Sequence, residues 1–312
     1  MEVHNIRRIA VVGAGLMGHG IAQEFALAGY EVHLHDLSEE KLQQAIENIQ
    51  ANLQMLVALE WVSQEQTEPV LKNIQLHTEL KDAVTEADVV IENVFENLEL
   101  KQEVFHKLDK QCPERTILTS NTSTLLPSTL ASVTRRPDKV LVAHYFNPPY
   151  LLPLVEIVRG AETSDKTVSA IYDLLTKVGK TPVIVQKEIL GFIGNRLQAA
   201  LAREALSIVE RGIASPQDVD VVIKNGFGRR LAVAGYFELR EIVGWDLVLA
   251  ANAYLLPDLE TSTEVSPLVK EKVDQGELGM KTGKGFYDWT PESAEALRRR
   301  IAQALIKIAQ FS

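Results

Sequence analysis

Short apolar runs alternate with stretches of helical period through roughly the first 185 residues of the chain. The runs predict strands at 8–12, 32–35, 74–77, 88–93, 116–119, 139–144, 154–158 and 182–186. Between them the 3.6-residue period predicts helices at 17–29, about 38–60 (with room for a second helix beyond), 98–110 and 165–178. Strand–helix alternation of this kind predicts a parallel, doubly wound sheet. Residues 87–93 are almost continuously apolar before an acidic end, as expected of a strand buried on both faces. After Gly191 the strand signal fades. Phe192, Ile193, Leu197, Ala200, Leu201, Ala205, Ile208 and Val209 keep helical spacing, and helical segments follow at 216–224, 236–253, 265–274 and 291–311. The expectation is an α/β domain over 1–188 followed by an all-helical domain over 189–312.

The first predicted strand, Ile9-Ala10-Val11-Val12, runs directly into Gly13-Ala14-Gly15-Leu16-Met17-Gly18 and then a helix. In such a turn Gly13 permits the reversal, Gly15 lets backbone approach a pyrophosphate, and Gly18 lets helix pack on strand. The helix start adds unpaired N–H groups and a positive dipole end. A second strand ends in Asp36, 18 residues past Gly18, where a ribose hydroxyl needs an acceptor. Without that pattern, Asp36 reads as a solvated strand end. A carboxylate also repels a 2′-phosphate, and Leu37-Ser38 offers no arginine, so the motif favours NAD over NADP.

Composition narrows the setting. The chain has 312 residues, enough for two cores. No apolar run approaches the roughly 20 residues of a membrane span, and residues 1–5 hold no apolar leader core. The single cysteine, Cys112, excludes an internal disulfide and fits a reducing cytoplasm. A net charge of −10 argues against nucleic acid.

In an open parallel sheet, ligands lie across the carboxyl ends of the strands. Three polar clusters end predicted strands: 120–123, 144–149, and Glu156 within the strand that follows. His144 is the best-placed general base of the seven histidines, and a carboxylate on its second ring nitrogen would fix the tautomer. Glu156 follows twelve residues later, across a reversal holding Pro148, Pro149 and Pro153, so the two can face each other on adjacent strands. A core histidine satisfied by backbone is the competing reading.

The stretches GAGLMGHGIA, VIENVFENLELK, SNTS, HYFNPP…LVEIV, GFIGNRL, GIASPQDVD and KTGKGFYDW follow one another along nearly the whole chain. In these the sequence resembles the 3-hydroxyacyl-CoA dehydrogenase family. The resemblance implies a Rossmann-like domain, a helical domain that dimerises, and NAD-dependent oxidation of an L-3-hydroxyl. It makes His144 the base and Glu156 its partner. It places Ser123 and Asn195 on the substrate oxygen. It assigns cofactor contacts to Gly13, Gly15, Leu16, Met17, Gly18, Asp36, Glu96, Lys101, Asn147 and, less securely, Lys281. Glu96 and Lys101 by themselves read as a solvated helix start.

The chain also departs from the acyl-CoA members. Residues 42–71 hold no Lys or Arg but do hold Glu47, Glu60, Glu65 and Glu68, which would repel the CoA phosphates. The plainer alternative sends those phosphates into solvent or towards Lys72. Arg230, within 226–235, and the segment 147–154 are similar to relatives acting on free hydroxy acids, such as L-gulonate or carnitine dehydrogenases. Arg230 can clamp a carboxylate; the competing reading is a surface arginine. Tyr236 stands where many relatives have proline. The expected partners are therefore NAD, a small molecule (acyl-CoA or hydroxy acid) and a second copy of the chain. A non-catalytic crystallin-like NAD-binding protein is a third reading, against which the complete His144, Glu156, Ser123 and Asn195 set argues. Between Ile189 and Arg211 there is no lysine, which disfavours the 6-phosphogluconate type of enzyme.

Overall fold

Eight strands in the order β3-β2-β1-β4-β5-β6-β7-β8 form one sheet in the computed structural model, which describes residues 3–309. In chain order the first unit runs β1 (Arg8–Val12), α1 (Gly18–Leu27), β2 (Glu31–His35), α2 (Glu39–Ala58), α3 (Gln64–Lys72), β3 (Ile74–His77), α4 (Leu80–Val84) and β4 (Val89–Glu92). It continues with α5 (Leu98–Gln111), β5 (Ile117–Ser120), α6 (Pro127–Ala131), β6 (Val140–Tyr145), β7 (Leu154–Arg159), α7 (Asp165–Lys177) and β8 (Thr181–Val185). All eight expected strands are present, and the helix beyond α2 is α3. The five-residue helices α4 and α6 were not expected, because one turn is too short to show a period.

The sheet is parallel except between β6 and β7. The parallel, doubly wound sheet and the reversal expected between His144 and Glu156 are both present. The connection 146–153 is too short for a crossover helix, and a short connection can only join antiparallel strands. The reversal pairs His144 with Glu156 directly across the ladder.

Each central strand is buried on both faces. Ile9 and Val11 join a core with Ile21, Phe25 and Leu34, while Ala10 and Val12 join another with Val90, Phe105 and Leu118. Cys112 lies in that second core, and burial pushes its thiol up to about 12. A third, small cluster of Val142, Val158, Val185 and Phe192 lies on the His144 face of β6 and β7.

Two buried devices steady the region around the strand ends. Lys180 pairs with Glu24 of α1 and donates to the carbonyls of Pro149 and Leu152, tying α1 to the segment after β6. Burial pushes the Glu24 carboxyl up to about 7 against the pull of Lys180. A Cβ on Gly20 of α1 would come within 2.6 Å of Pro149, so α1 and that segment touch. At the sheet edge the rings of His33 and His77 stack 4.8 Å apart, with buried His35 beside them.

Burial holds His35 and His77 below the ordinary histidine range, with the charges of Asp36 and Asp82 respectively pulling the other way. The folded state therefore prefers these rings neutral. The stability they contribute is full above the unfolded value of about 6.5 and is lost as pH falls below it. A His35→Gln variant is expected to lose less melting temperature between pH 7.5 and 5.5 than the wild type. Identical losses in both would remove His35 from the acid response.

Contacts divide the chain into units Met1–Asn195 and Arg196–Ser312, a division inside α8 (Gly194–Glu210). Residues 191–195 pack with the first unit. The expected helical start at Phe192 is corrected: Gly191 and Phe192 take positive φ, and α8 begins at Gly194. The second unit continues with α9 (Pro216–Asn225), α10 (Phe227–Leu231), α11 (Tyr236–Val243), α12 (Trp245–Leu255), α13 (Pro267–Asp274) and α14 (Pro291–Ala309). The single segment expected at 236–253 is two helices, broken where Gly244 takes φ +94°. No described helix is long and apolar enough to cross a membrane.

Candidate active site

The carboxyl ends of β1, β2, β4, β5 and β6 lie along one edge of the sheet, and the chain reverses direction of winding between β1 and β4. There the glycine turn follows β1. Gly13 takes φ +100°, donates its N–H to His35 O at 2.8 Å, and has no room for a Cβ beside Asn93 O. A Cβ on Gly18 would lie 1.8 Å from Gly13 O, so α1 starts in contact with the turn. Gly15 faces open space, with nothing within 4 Å of its Cβ position. Met17, the residue before α1, makes no side-chain cap; of the first-turn N–H groups, His19 donates to Gly15 O at 3.3 Å and Ile21 to Met17 O at 3.0 Å.

Asp36 closes this cradle. One carboxylate oxygen accepts from Ala14 N–H at 3.1 Å and the other from Ser38 N–H at 3.4 Å. Leu16, Leu37 and Phe95 expose apolar surface, and the Lys41 ammonium lies 5.4 Å over the Phe95 ring. A dinucleotide fits the open Gly15 face and the acidic strand end.

At the next strand ends the polar groups are almost all engaged. Glu92, fully buried at the end of β4, accepts from Lys101 Nζ at 2.7 Å, Ser120 Oγ at 2.6 Å and Val94 N–H at 2.6 Å. Burial raises the Glu92 carboxyl despite Lys101. Lys101 is 1% exposed and also donates to Val94 O, with Glu96 3.5 Å away. Glu96 accepts from the hydroxyls of Thr122 and Thr124 and from the N–H groups of Ser123 and Thr124. Burial alone would raise the Glu96 carboxyl; these donors and Lys101 hold it low. Glu92 and Thr124 were absent from the expected site, and Ser120 and Thr122 entered it only as members of the polar cluster 120–123. The available signal was an acid ending a wholly apolar strand with a lysine nine residues on.

His144 and Glu156 meet across β6 and β7, with Nδ1 2.8 Å from Oε2 and both side chains buried. The other carboxylate oxygen accepts the N–H groups of Ile193 and Gly194, each at 2.9 Å. Burial would lift the Glu156 carboxyl, but His144 and those two N–H groups hold it below the usual range. Asn195 donates to Ser123 O at 3.2 Å, so the 120–123 and 191–195 segments are joined. The Ser123 hydroxyl and His144 Nε2 have no partner among the described residues. Asn147 is exposed at the end of the same region, before a cis bond to Pro148. The structure thus gathers Gly13, Gly15, Gly18, Asp36, Glu96, Lys101, Ser123, His144, Asn147, Glu156 and Asn195 in one unit. Arg230 on α10 and Lys281 between α13 and α14 are exposed residues of the other unit.

A doubly wound sheet with a glycine cradle, an acidic second strand end and a buried His–Glu pair defines the class: an NAD-dependent oxidoreductase with a Rossmann-like domain and a helical domain. Residues 8–189 match the 3-hydroxyacyl-CoA dehydrogenase NAD binding domain, and 191–289 match the C-terminal domain of the same enzymes. The chain belongs to the 3-hydroxyacyl-CoA dehydrogenase family. It is 35% identical over 290 residues to a probable 3-hydroxybutyryl-CoA dehydrogenase of Bacillus subtilis, covering 93% of this chain and 99% of that one. It is 33% identical over 306 residues to 5-formyl-3-hydroxy-2-methylpyridine 4-carboxylate 5-dehydrogenase of Mesorhizobium japonicum, covering 98% of each. A crystal structure of an enzyme of that activity, described as an NAD+-dependent dismutase, superposes with a TM-score of 0.91 at 33% identity, covering 98% of each chain.

Proposed function

We propose that the protein oxidises the L-3-hydroxyl of a short-chain 3-hydroxyacyl-CoA, of 3-hydroxybutyryl-CoA type, to the 3-keto product. The observation that carries this reading is the 2.8 Å contact between His144 Nδ1 and Glu156 Oε2. A ring that donates from Nδ1 keeps its lone pair on Nε2, the form a general base needs. Bound NAD supplies the hydride acceptor. His144 Nε2 takes the hydroxyl proton, and Glu156 stabilises the imidazolium that results. The N–H groups of Ile193 and Gly194 keep the Glu156 carboxylate from turning away. The Ser123 hydroxyl and the Asn195 amide donate to the substrate oxygen as negative charge develops there.

In this reading Asp36 accepts from a ribose hydroxyl, beside Gly13, Gly15, Leu16, Met17 and Gly18, with Asn147 and Lys281 as further contacts. Glu96 acts through the 122–124 segment it holds, and Lys101 through Glu92 and Glu96. Asp36→Ala is expected to weaken NAD binding by roughly 10–100-fold, the loss of a charge-assisted hydrogen bond, and to narrow the preference over NADP. Unchanged cofactor preference, measured as the ratio of kcat/KM values, would count against that role.

A second reading places the same chemistry on a free hydroxy acid. What favours it is the α2–α3 region, where residues 42–71 carry no basic side chain and the flanking Lys72 is paired with Glu68 at 2.7 Å. The match along 98% of a relative named for a pyridine carboxylate points the same way. Arg230, exposed and without a described partner, is then the carboxylate ligand. NADH-coupled assays on acetoacetyl-CoA, free acetoacetate, dehydrocarnitine and L-gulonate decide between them. Turnover confined to the thioester removes the Arg230 clamp; turnover confined to free acids removes the CoA reading. We further propose a cytoplasmic homodimer, supported by the single buried thiol and by exposed Tyr236, Phe237, Leu249 and Tyr254 in the helical unit.

A further inference from the structure

Phe192 adopts a backbone conformation that bulky residues rarely take. Its φ is +51°, in the left-handed region, and its side chain is completely buried. Such a conformation persists only where the surroundings over-determine it. On one side the ring packs on Val142, Val158 and Val185, the apolar layer on the His144 face of the sheet. On the other its centroid lies 5.5 Å from the His144 imidazole, tilted by 58°. Phe146 lies 4.7 Å from the same imidazole at 53°. Gly194 leaves space for that second ring, since a Cβ there would come within 2.5 Å of the Phe146 ring. Directly after Phe192, the N–H groups of Ile193 and Gly194 bind the Glu156 carboxylate.

We propose that Phe192, with Phe146, is a positioning residue for His144. The two phenyl rings, each tilted against the imidazole, form a slot that holds it in line with Glu156. The left-handed turn at residue 192 brings one wall of the slot and the Glu156 donors into place together. The proposal rests on His144 being the base. An imidazole held at one nitrogen still pivots about its side-chain bonds, and aromatic neighbours at these separations limit the pivot. Misplacement of a reacting group by about 1 Å can cost on the order of 100-fold in rate. The glycine turn and Asp36 lie on other strand ends, so NADH binding is expected to be unchanged by substitutions at residue 192.

The test compares wild type, His144→Ala, Phe192→Ala, Phe192→Gly and Phe192→Leu by kcat, KM, the NADH dissociation constant and melting temperature. Phe192→Ala and Phe192→Gly are expected to lower kcat by roughly 10–100-fold while NADH binding is unchanged. Phe192→Gly, relieved of the unfavourable φ, gains no activity over Phe192→Ala. Phe192→Leu fills the apolar layer without a flat ring; it keeps the wild-type fold and still loses kcat. Should the alanine and glycine variants fail to fold, the leucine variant decides. A leucine variant with kcat within about twofold of wild type, beside an inactive His144→Ala, overturns the proposal and leaves Phe192 as packing. Near-normal turnover by His144→Ala overturns the base assignment itself, and the slot with it.

Discussion

His144→Ala is expected to lower kcat by about 10²–10⁴-fold, the range that a positioned general base contributes. The size follows from the surroundings. Both partners of the His144–Glu156 pair are buried, and Nε2 is the ring atom left without a protein partner. Alanine leaves a gap: Ser123 offers a hydroxyl and Asn195 an amide, neither basic near neutral pH. The Glu156 carboxylate, which the Ile193 and Gly194 N–H groups help hold below the usual range, is a weak base set back behind the missing ring. NADH binding should persist, because the glycine cradle and Asp36 lie on other strand ends. Turnover within a few-fold of wild type would end the assignment of His144 as base.

Lys101→Met is expected to destabilise the first unit by about 3–5 kcal/mol, the cost of stranding a buried carboxylate. Glu92 is fully buried, and Lys101 is its charge partner. Methionine replaces the stem and removes the ammonium, so Glu92 must remain charged without compensation or take up a proton. The melting temperature should fall by on the order of 10 °C, and a Glu92→Gln/Lys101→Met double variant should recover part of the loss. If Lys101 serves the cofactor alone, the melting temperature stays put and only the NAD dissociation constant rises. That outcome would reverse the structural assignment.

The eight strands were legible because burial on both faces makes β1, β4 and β6 nearly continuous apolar runs, and few other elements produce that pattern. The His144–Glu156 pairing was legible from twelve residues and three prolines. The inner polar network was not. Glu96 and Lys101 carry the residue types of a solvated helix start, and their sequence cannot show that α5 folds the lysine back onto Glu92 at the end of β4. Phe192 was hidden for a related reason: an apolar residue at helical spacing reads as helix, whereas its φ of +51° places it before the helix begins. Gly244 interrupts an otherwise unbroken helical period in the same way. In each case a long-range contact or one backbone angle overrides a local pattern.

Cys112 turns the molecule into its own reporter. The chain has no other cysteine, and this one is packed among Ala83, Val84, Phe105 and Leu108 with its thiol held protonated far above neutral pH. An alkylating reagent needs the thiolate and access to it, so labelling waits on opening of the core between α5 and the sheet. Mass shift against time therefore clocks the opening of the core of the nucleotide-binding unit. Saturating the protein with NADH should slow that clock without touching the reagent's chemistry.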